Sequence, residues 1–555
     1  MVSNVFDKNT LYYGDNLEVL RKHFPPECID LIYLDPPFNS KADYNVLFKE
    51  STGEQSTAQI QAFSDFWHWN PEAKHAYDYL AINAPQNVGD LITSFYGFLG
   101  KNDMFAYIVM MGERLLELNR VLKSTGSLYL HCDTTASHYL KLLLDAIFGI
   151  ENFRNEIIWQ RFNFHADAHR YGRVHDILLF YTKTNNYYWK TQYGEYKEKY
   201  KKSHFYNVDP SNGRNFRLSD STAKGQGPPR FFNGKLLEPP HGTHWRWSQE
   251  NIDHLVAQGK IVFTKTGNPA VKRYLDEVKP AIHSVWTDIP PINSMSKERI
   301  GFQTQKPIKL VERIIESSCP ENGTLLDPFC GCGTAIIAAE KKHRHWIGID
   351  ITFLAINLVK GRLKDSFPMA VYAVEGEPRD LEAARALSPN RYQFQWWALF
   401  KIGARPVGST ETKPREGKKG ADEGVDGWLR FVDKAEGHYE KIVVQVKSGH
   451  VGVKDIRELR DVITKQKAAM GIFLTLEEPT SEMVKEVEST DPYISILWKH
   501  EFPKIQILTI QQLLQGEHPN TPPTVNLFQE AQQVKKADRT RETTLSAFHK
   551  LGNLT

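Results

Sequence analysis

Two separate stretches of the chain alternate short apolar runs with longer amphipathic runs. The first extends from the start to about residue 190 and includes CIDLIYL, MFAYIVMMGERLLELNRVLK and SLYLHCD. The second includes PIKLVERIIESSC, TLLDPF, GTAIIAAEKK and HWIGIDI. Alternating strands and helices are typical of a parallel sheet with helices on both faces. The sequence therefore predicts an α/β, doubly wound, Rossmann-like domain over residues 1–375, with a sheet built from both stretches.

The residues between these stretches have a different composition. Over about residues 160–300, YKEKYKKSHFYN, KGQGPPRFFNGK and GTHWRWS are rich in aromatic, basic and turn-forming side chains. They predict an insertion within the first domain. Strand–helix alternation returns in GWLRFVD, KIVVQVKS, KDIRELRDVITKQK and AMGIFLTL, which predicts a second, smaller α/β domain over residues 376–515. Residues 516–555 are proline-rich and then polar, and they predict a tail.

Cysteine content and hydropathy exclude several classes of protein. The five cysteines are an odd number, and too few to form the disulfide framework of a secreted chain of 555 residues. No apolar run approaches the ~18 residues that a membrane-spanning helix needs. We therefore expect a cytoplasmic protein with reduced thiols and no membrane partner. The net charge is only +3, so any surface that binds a polyanion must be local.

The segment LLDPFCGCGTAIIAAEKKHRHWIGIDI is typical of a strand, a glycine turn, a helix and a second strand. The first strand ends at Asp327, and the helix begins at Thr334. Gly331 and Gly333 permit a tight turn that a ligand can approach closely. Asp350 ends the second strand, where a carboxylate can accept hydrogen bonds from ribose hydroxyls. This arrangement predicts a nucleoside site.

An earlier apolar strand, IDLIYL, leads into Asp35, Pro36, Pro37 and Phe38. The two prolines remove N–H donors and stiffen the turn, so the Asp35 carboxylate and the Pro36 carbonyl can both act as acceptors. An exocyclic amino group fits such acceptors, which would localise its lone pair toward a methyl sulfonium. The Phe38 ring offers a face on which a flipped base can stack. The motif therefore predicts methyl transfer to the amino group of a base.

Together, DPPF and DPFCGCGT resemble the S-adenosylmethionine-dependent DNA amino-methyltransferases, which act on adenine N6 or cytosine N4. Because DPPF comes first and the insertion lies between the motifs, the order is similar to that of the β group. The resemblance covers about residues 10–365 and implies that Asp35, Pro36, Pro37 and Phe38 form the catalytic loop. It assigns S-adenosylmethionine binding to Asp15, Thr304, Gln305, Lys306, Pro307, Asp327, Phe329, Gly331, Gly333, Thr334 and Asp350.

The insertion then resembles a target recognition region, and we expect double-stranded DNA as the partner and a homodimer as the assembly. Residues suited to phosphate contact and base stacking are Lys201, Lys202, Arg230, Trp245, Arg246 and Trp247. DPPF favours adenine N6, with cytosine N4 as the alternative. RNA stays open as a substrate because the transfer chemistry is the same.

Two other chemistries are disfavoured by the placement of cysteines. Methylation at cytosine C5 needs a thiolate nucleophile, conventionally after a proline, whereas Cys319 precedes Pro320. Zinc binding by Cys330 and Cys332 would need two more ligands, and no matching cluster occurs in the sequence.

The second domain contains a candidate nuclease site. Asp426 precedes one strand, and Gln445 and Lys447 alternate along the next, so all three can converge on one face. The carboxylate and the amide oxygen can bind Mg²⁺, and the lysine can activate a water against a phosphodiester. Residues from about 392 to 514 resemble the Mrr-like branch of the PD-(D/E)xK restriction endonucleases, with glutamine in place of the second acid.

These motifs predict a site-specific DNA methyltransferase joined to a Mg²⁺-dependent endonuclease domain, in a restriction-modification context. The alternative is a methyltransferase whose C-terminal domain is an inactive DNA-binding or regulatory module. The sequence has no GxxxxGK[ST] loop, so it predicts no ATP-driven motor within this chain.

Overall fold

A computed structural model describes the chain over residues 8–37, 43–49, 55–64, 68–162, 169, 171–293, 296, 298–300, 305–407, 424–433 and 439–524. The predicted site residues Phe38 and Thr304 lie outside the described residues, as do residues 525–555 of the predicted tail. The chain forms two compact units, residues 1–189 with 284–555 and residues 190–283. In the described ranges, no helix is long and apolar enough to span a bilayer.

The N-terminal part of the larger unit contains seven strands, five helices and one 3-10 turn in its described residues. They are β1 (Asn9–Tyr13), α1 (Asn16–His23), β2 (Ile29–Leu34), β3 (Asp43–Lys49), β4 (Gln55–Ser64), α2 (Pro71–Asn83), α3 (Gln86–Leu99), α4 (Asp103–Val121), β5 (Leu122–Cys132), α5 (Ser137–Phe148), the 3-10 turn Ile150–Asn152, β6 (Phe153–Gln160) and β7 (His175–Thr182).

The smaller unit consists of short strands and two helices. They are α6 (Glu198–His204), β8 (Asn207–Val208), β9 (Asn215–Asp220), β10 (Thr222–Lys224), β11 (Arg230–Phe232), β12 (Lys235–Leu237), β13 (Thr243–Trp245), α7 (Gln249–Ala257), β14 (Ile261–Phe263) and β15 (Pro269–Tyr274). Its largest sheet has the order β14-β15-β9-β8.

The rest of the larger unit completes the first sheet and then forms a second. Its elements are β16 (Val285–Trp286), α8 (Ile308–Ser318), β17 (Thr324–Asp327), α9 (Thr334–Lys341), β18 (His345–Asp350), α10 (Phe353–Ser366), β19 (Tyr372–Glu375), α11 (Leu381–Leu387), α12 (Arg391–Lys401), β20 (Arg405–Pro406), β21 (Gly427–Val432), β22 (Tyr439–Lys447), α13 (Val453–Lys465), β23 (Met470–Thr475), α14 (Ser481–Glu488), β24 (Tyr493–Ile494), β25 (Glu501–Phe502), β26 (Ile505–Thr509) and α15 (Ile510–Leu514).

Nine strands form the first sheet, in the order β16-β6-β7-β5-β2-β17-β18-β1-β19. All neighbours pair in parallel except β7, which is antiparallel to both β5 and β6. All six residues of β2 are buried, as expected for a central strand covered on both faces. The predicted α/β fold is confirmed, and both stretches of strand–helix alternation contribute to one sheet.

The reversed strand β7 lies within the predicted insertion of residues 160–300. It pairs with β5 and β6, and seven of its eight residues, His175–Thr182, are buried, with an apolar run at the centre. The compact inserted unit is therefore the shorter range 190–283. The sequence pattern did not show β7, because aromatic and basic residues surround its short apolar run.

The C-terminal part of the larger unit forms a five-stranded mixed sheet in the order β20-β21-β22-β23-β26. Strands β22, β23 and β26 are parallel, with the amphipathic helix α13 between the first two of them. Ile456, Leu459 and Ile463 of this helix are buried, and they recur at the spacing of one helical face. A smaller α/β fold is thus present, as the sequence predicts.

One hydrophobic cluster joins the two sheets of the larger unit. It contains Phe353 and Leu358 of α10, Phe394 and Trp397 of α12, and Leu429, Ile442 and Leu474 of the second sheet. The backbone N–H of Phe353 also donates to Oε1 of Gln393, over 3.4 Å. The two α/β folds therefore share buried apolar surface through α12.

Replacing Trp397 tests this shared cluster. Its side chain is only 2% exposed, so Trp397→Ala should lower the free energy of unfolding by about 3–5 kcal/mol through lost burial and a residual cavity. Urea unfolding followed by far-ultraviolet circular dichroism measures the change. Trp498→Ala is the control, because that side chain is 47% exposed and should cost less than about 1 kcal/mol. Equal losses in the two variants would contradict the assignment of Trp397 to the shared core.

Candidate active site

Four parallel strands end together at the carboxyl edge of the first sheet. Leu326 of β17 pairs with Ile32 of β2, Asp327 with Gly348 of β18, and Tyr13 of β1 with Asp350. Parallel neighbours present their carboxyl ends at the same edge, which is where α/β proteins bind ligands. The segments after β1, β2, β17 and β18 therefore meet there.

The predicted donor turn folds back onto the end of β18. Asp327 Oδ1 accepts from the N–H of Phe329 at 3.1 Å, and Asp350 Oδ2 accepts from the N–H of Gly331 at 2.9 Å. Gly331 has a φ of 47°, a left-handed conformation that suits glycine. The turn leads directly into Thr334, the first residue of α9, so unpaired N–H groups of a helix begin beside it.

Gly333 has a packing role that the sequence did not reveal. Its φ is +77°, and a Cβ at this position would lie 2.6 Å from Cγ2 of Val359 on α10. Contact that close is not tolerated between carbon atoms. Glycine is therefore required at position 333 because α10 packs closely against it. From the sequence, the expected reason was the close approach of a ligand to the turn.

Buried carboxylates dominate the electrostatics of this edge. Burial raises the pKa of Asp327 well above its usual range, and the negative charges of Asp35 and Asp350 raise it further. Burial also raises the pKa of Asp350, against hydrogen bonds from Thr352 and Gly331. Because the charge of Asp35 contributes to the raised pKa of Asp327, the ends of β2 and β17 share one electrostatic environment.

On the β1 side, Asp15 has a structural role. It is the N-cap of α1, where Oδ1 accepts from the N–H of Leu17 at 2.8 Å, and its Oδ2 accepts from Arg114 at 2.5 Å. The neighbouring Asn16 donates to the carbonyl of Pro328 at 2.7 Å and accepts from Arg114 Nε at 2.6 Å. Asn16 and Arg114, which the sequence analysis did not single out, thus connect β1 and α4 to the donor turn.

The catalytic loop begins immediately after β2. Pro36 is buried, and Pro37 is half-buried. Asp35 Oδ2 accepts from Lys306 Nζ at 2.5 Å, whereas Oδ1 is buried and has no hydrogen-bond partner among the described residues. The acceptor atom predicted for an amino group is therefore present and directed into a buried environment.

Several residues assigned to the donor have internal contacts. The side chain of Gln305 accepts from the N–H of Ile300 and donates to the carbonyl of Glu298, so it shapes its own loop. Pro307 is the N-cap of α8. Thr334 donates to the carbonyl of Lys306 at 3.4 Å, and the partly buried Phe329 packs against the main core. Lys306 contacts Asp35 through its ammonium, a contact that the sequence analysis did not predict.

A buried polar chain behind the catalytic loop was also missed. Tyr33 Oη lies 3.1 Å from His131 Nδ1, and His131 Nε2 lies 3.1 Å from Asp176 Oδ2. Arg161 Nη1 is 3.3 Å from the other oxygen of Asp176. Although Asp176 is buried, His131, Lys306 and Arg161 lower its pKa. The one sequence signal for these contacts was His131 in LYLHCD, a polar residue near the end of a buried strand.

All five cysteines are buried and reduced. Burial raises the pKa of the Cys319 thiol to about 12, and it also raises the pKa of Cys330 and Cys332. Over the described ranges, no group of three His, Cys, Asp or Glu side chains could hold a metal ion. A raised thiol pKa disfavours the thiolate that methylation at cytosine C5 needs.

In the smaller unit, the predicted DNA-contacting residues have different environments. Trp245 is buried, and with Phe232 and Ile252 it forms the core of the unit, so it is not available for base stacking. Lys201 pairs with Glu198 at 2.9 Å, and Arg246 donates through Nε to a backbone carbonyl at 2.6 Å. Lys202 is exposed, and Arg230 and Trp247 are half-buried.

The candidate nuclease residues are only partly brought together. Asp426 lies at the start of β21 beside Gln445 of β22, and its carboxylate accepts from the N–H of Val446 at 2.7 Å and from Gln395 Nε2 at 3.1 Å. Gln445 donates to the carbonyl of Gly424, and its Oε1 is buried without a hydrogen-bond partner in the described part of the chain. Lys447 Nζ lies 3.7 Å from Asp455 of α13. Both oxygens of the Asp426 carboxylate thus accept from neutral N–H donors.

Residues 29–360 match the family of N6 and N4 methyltransferases described as DNA methylase. The chain belongs to this family. This DNA methylase is 30% identical over 364 residues to the type II methyltransferase M.EcaI of Enterobacter cloacae, which covers 65% of this chain and 70% of that protein. It is 25% identical over 351 residues to the type III StyLTI Mod subunit of Salmonella typhimurium, or 60% of this chain and 50% of that subunit.

Among solved structures, this DNA methylase matches TTHA0409 of Thermus thermophilus with 15% identity and a TM-score of 0.32, over 66% of this chain and 99% of the other. Residues 411–515 match a second family, described as NACHT-associated inactive Restriction Endonuclease 1. The helix α12 lies between the two matched segments.

The edge of the sheet fits the methyl donor S-adenosylmethionine. Asp350 ends β18 at this edge, and its oxygens accept from the N–H and Oγ1 of Thr352 and from the N–H of Gly331. A carboxylate at this place in an α/β sheet can accept hydrogen bonds from ribose hydroxyls. The carboxyl groups of Asp327 and Asp350 suit a donor with a sulfonium and an ammonium group, because a nearby cation favours the ionised form of a carboxyl group.

The burial of Asp327 has a consequence for stability. Because its pKa is raised in the folded state, the stability that it contributes is present at acidic pH and is lost as the pH rises through the folded pKa. Asp327→Asn removes the charge but keeps an oxygen for the N–H of Phe329. We expect this variant to raise the Tm of the donor-free protein at neutral pH, with a smaller gain near pH 4.

Differential scanning fluorimetry at several pH values, with and without donor, measures both effects. The stabilised variant should bind the donor more weakly. The matched control is Asp78→Asn, because that side chain is 45% exposed on α2 and should give no pH-dependent gain. A loss of Tm at neutral pH in Asp327→Asn would contradict this account.

Proposed function

We propose that this DNA methylase transfers a methyl group from S-adenosylmethionine to N6 of adenine in double-stranded DNA, within a restriction-modification context. The observation that supports the proposal most directly is that Oδ1 of Asp35 is buried without a hydrogen-bond partner in the described ranges. The charge of Asp35 also contributes to the raised pKa of Asp327 at the predicted donor turn. A buried acceptor without a partner is costly. An amino group of a flipped base would satisfy it.

The residues of this chain would act mainly by binding and orientation. When bound, S-adenosylmethionine would supply an electrophilic methyl group, whose bond to the sulfonium breaks as the bond to nitrogen forms and leaves the neutral thioether S-adenosylhomocysteine. Asp35 Oδ1 and the Pro36 carbonyl accept the amino protons, which turns the nitrogen lone pair away from the ring and toward the methyl group. After transfer the nitrogen carries one proton in excess, and Asp35 or water accepts it. No covalent bond between enzyme and base is needed.

Adenine is preferred on the resemblance of DPPF to the adenine-specific members, and cytosine N4 is the alternative. The two bases present similar amino groups, so Asp35 would serve either of them. A homodimer remains a prediction from the sequence alone.

Replacing Asp35 tests the proposed chemistry. Asp35→Ala should lower the rate of methyl transfer by about 100-fold or more, since it removes a hydrogen-bonding group that acts on the reacting nitrogen. Donor affinity should stay near that of the wild type. Tritium transfer to DNA measures the rate, titration calorimetry measures donor binding, and mass spectrometry of digested DNA identifies the modified base.

Asp78→Asn is again the control and should transfer at the wild-type rate. Near-normal turnover by Asp35→Ala would contradict the assigned role. Detection of N4-methylcytosine in place of N6-methyladenine would contradict the choice of base and leave the role of Asp35 standing.

For the C-terminal domain, we propose a DNA-binding or regulatory module that does not cut. Two observations favour this over the Mg²⁺-dependent endonuclease expected from the sequence. Residues 411–515 match a family described as inactive, and the carboxylate of Asp426 already accepts from two N–H donors. Two N–H donors leave about half of the lone-pair sites of Asp426 open, so it is the match to a family described as inactive that leaves the predicted Mg²⁺ site without support.

A plasmid assay with Mg²⁺ distinguishes the two interpretations. We expect the full-length protein to leave supercoiled DNA intact, with no difference between wild type and Lys447→Ala. Gel electrophoresis after prolonged incubation measures nicking and linearisation. Cleavage by the wild type that is abolished in Lys447→Ala would restore the nuclease interpretation, and Lys454→Ala, an exposed lysine on α13, controls for general effects of charge.

A further inference from the structure

A buried ion pair connects the two motifs of the active site. Lys306 Nζ donates to Asp35 Oδ2 at 2.5 Å, across 271 positions of sequence. The side chains are only 8% and 18% exposed. Lys306 belongs to the TQKP segment, whose residues the resemblance assigned to the methyl donor, yet its ammonium contacts the predicted acceptor of the amino protons.

The two oxygens of Asp35 differ because of this contact. Oδ2 is held by the ammonium, whereas Oδ1 is buried with no hydrogen-bond partner among the described residues. A carboxylate that is held at one oxygen cannot rotate freely about its last side-chain torsion. The position of Oδ1 is therefore fixed before any base enters.

The other end of Lys306 is also held. Its backbone carbonyl accepts from Oγ1 of Thr334, the first residue of α9, over 3.4 Å. The next residue, Pro307, is the N-cap of α8. One residue thus contacts both the helix that follows the donor turn and the carboxylate of the catalytic loop.

We propose that Lys306 is a positioning residue for methyl transfer, which fixes Oδ2 of Asp35 so that Oδ1 points at the amino group of the target base. The inference rests on the proposed function, since it requires Asp35 to be the acceptor. Lys306 does not contact the reacting atoms in this role. It acts through Asp35.

The local charge explains why a cation is needed. Asp327 and Asp176 are buried and Asp350 is half-buried at or near this edge, and Lys306 opposes the charge of Asp327 and of Asp176. Without Lys306, no cation would hold Oδ2 of Asp35 beside these carboxyl groups. The side chain could then turn Oδ1 away from the amino group of the base.

The test compares Lys306→Met, which keeps most of the side-chain volume, with Lys306→Arg, which keeps the charge. Single-turnover methyl transfer at saturating donor and DNA measures the chemical step, and calorimetry measures donor affinity. We expect Lys306→Met to lower the rate about 10-fold to 100-fold with donor affinity within about threefold of wild type. Lys306→Arg should recover part of the rate. Lys141→Met, on α5 and paired with Asp145, is the control and should keep the wild-type rate.

A double-mutant cycle with Asp35→Asn decides whether Lys306 acts through Asp35. If it does, adding Lys306→Met to Asp35→Asn should cause little further loss. Fully additive losses would overturn the inference, as would a wild-type rate in Lys306→Met. A donor affinity that falls in parallel with the rate would also overturn it, and would assign Lys306 to the donor. Normal turnover by Asp35→Asn alone would instead contradict the proposed function.

Thermal unfolding of each variant shows whether it is folded. If Lys306→Met is unstable, the comparison is made with Lys306→Ala and added methylammonium. Recovery of rate that saturates with the amine supports the positioning role, and absence of recovery with a folded variant overturns it.

Discussion

Burial of several carboxylates at one edge of a parallel sheet is the constraint on which this structure depends. Moving an ionised carboxylate out of water is costly unless hydrogen bonds or cations compensate. Here the compensation comes from backbone N–H groups of the donor turn and from Lys306. The turn geometry, the approach of α8 and the order of the strands all bring these compensating groups to the same place. An enzyme that binds a cationic donor can tolerate such a site because the donor completes the charge balance.

Much of this arrangement was predictable because short motifs determine it. The strand endings at Asp35, Asp327 and Asp350 follow from apolar runs that stop at an acid, and parallel pairing then brings them to one edge. Sequence spacing could not show that Lys306 pairs with Asp35, since the contact depends on where α8 packs. It also could not show that Gly333 is required by Val359 of a different helix.

The errors in the sequence analysis have a common physical origin. β7 is apolar and short, and it lies between segments rich in polar and aromatic residues, so its local signal was weaker than its surroundings. Trp245 was expected at a DNA surface but is buried, because a small unit needs large side chains to form a core. The spacing of Asp426, Gln445 and Lys447 also could not show that Gln395 of α12 donates to Asp426. In each case, packing between distant segments decided the environment.

The helix α12 contacts both halves of the larger unit through neighbouring side chains. Gln393 accepts from the first residue of α10, just beyond Asp350, and Gln395 donates to Asp426 of the nuclease-like fold. Trp397, on the same helix, is buried in the hydrophobic cluster that the two halves share. The segment that belongs to neither matched family is therefore the one that both folds pack against. An exchange of the C-terminal module between related chains would have to take this helix along with it, so the natural unit of inheritance is larger than either recognisable domain.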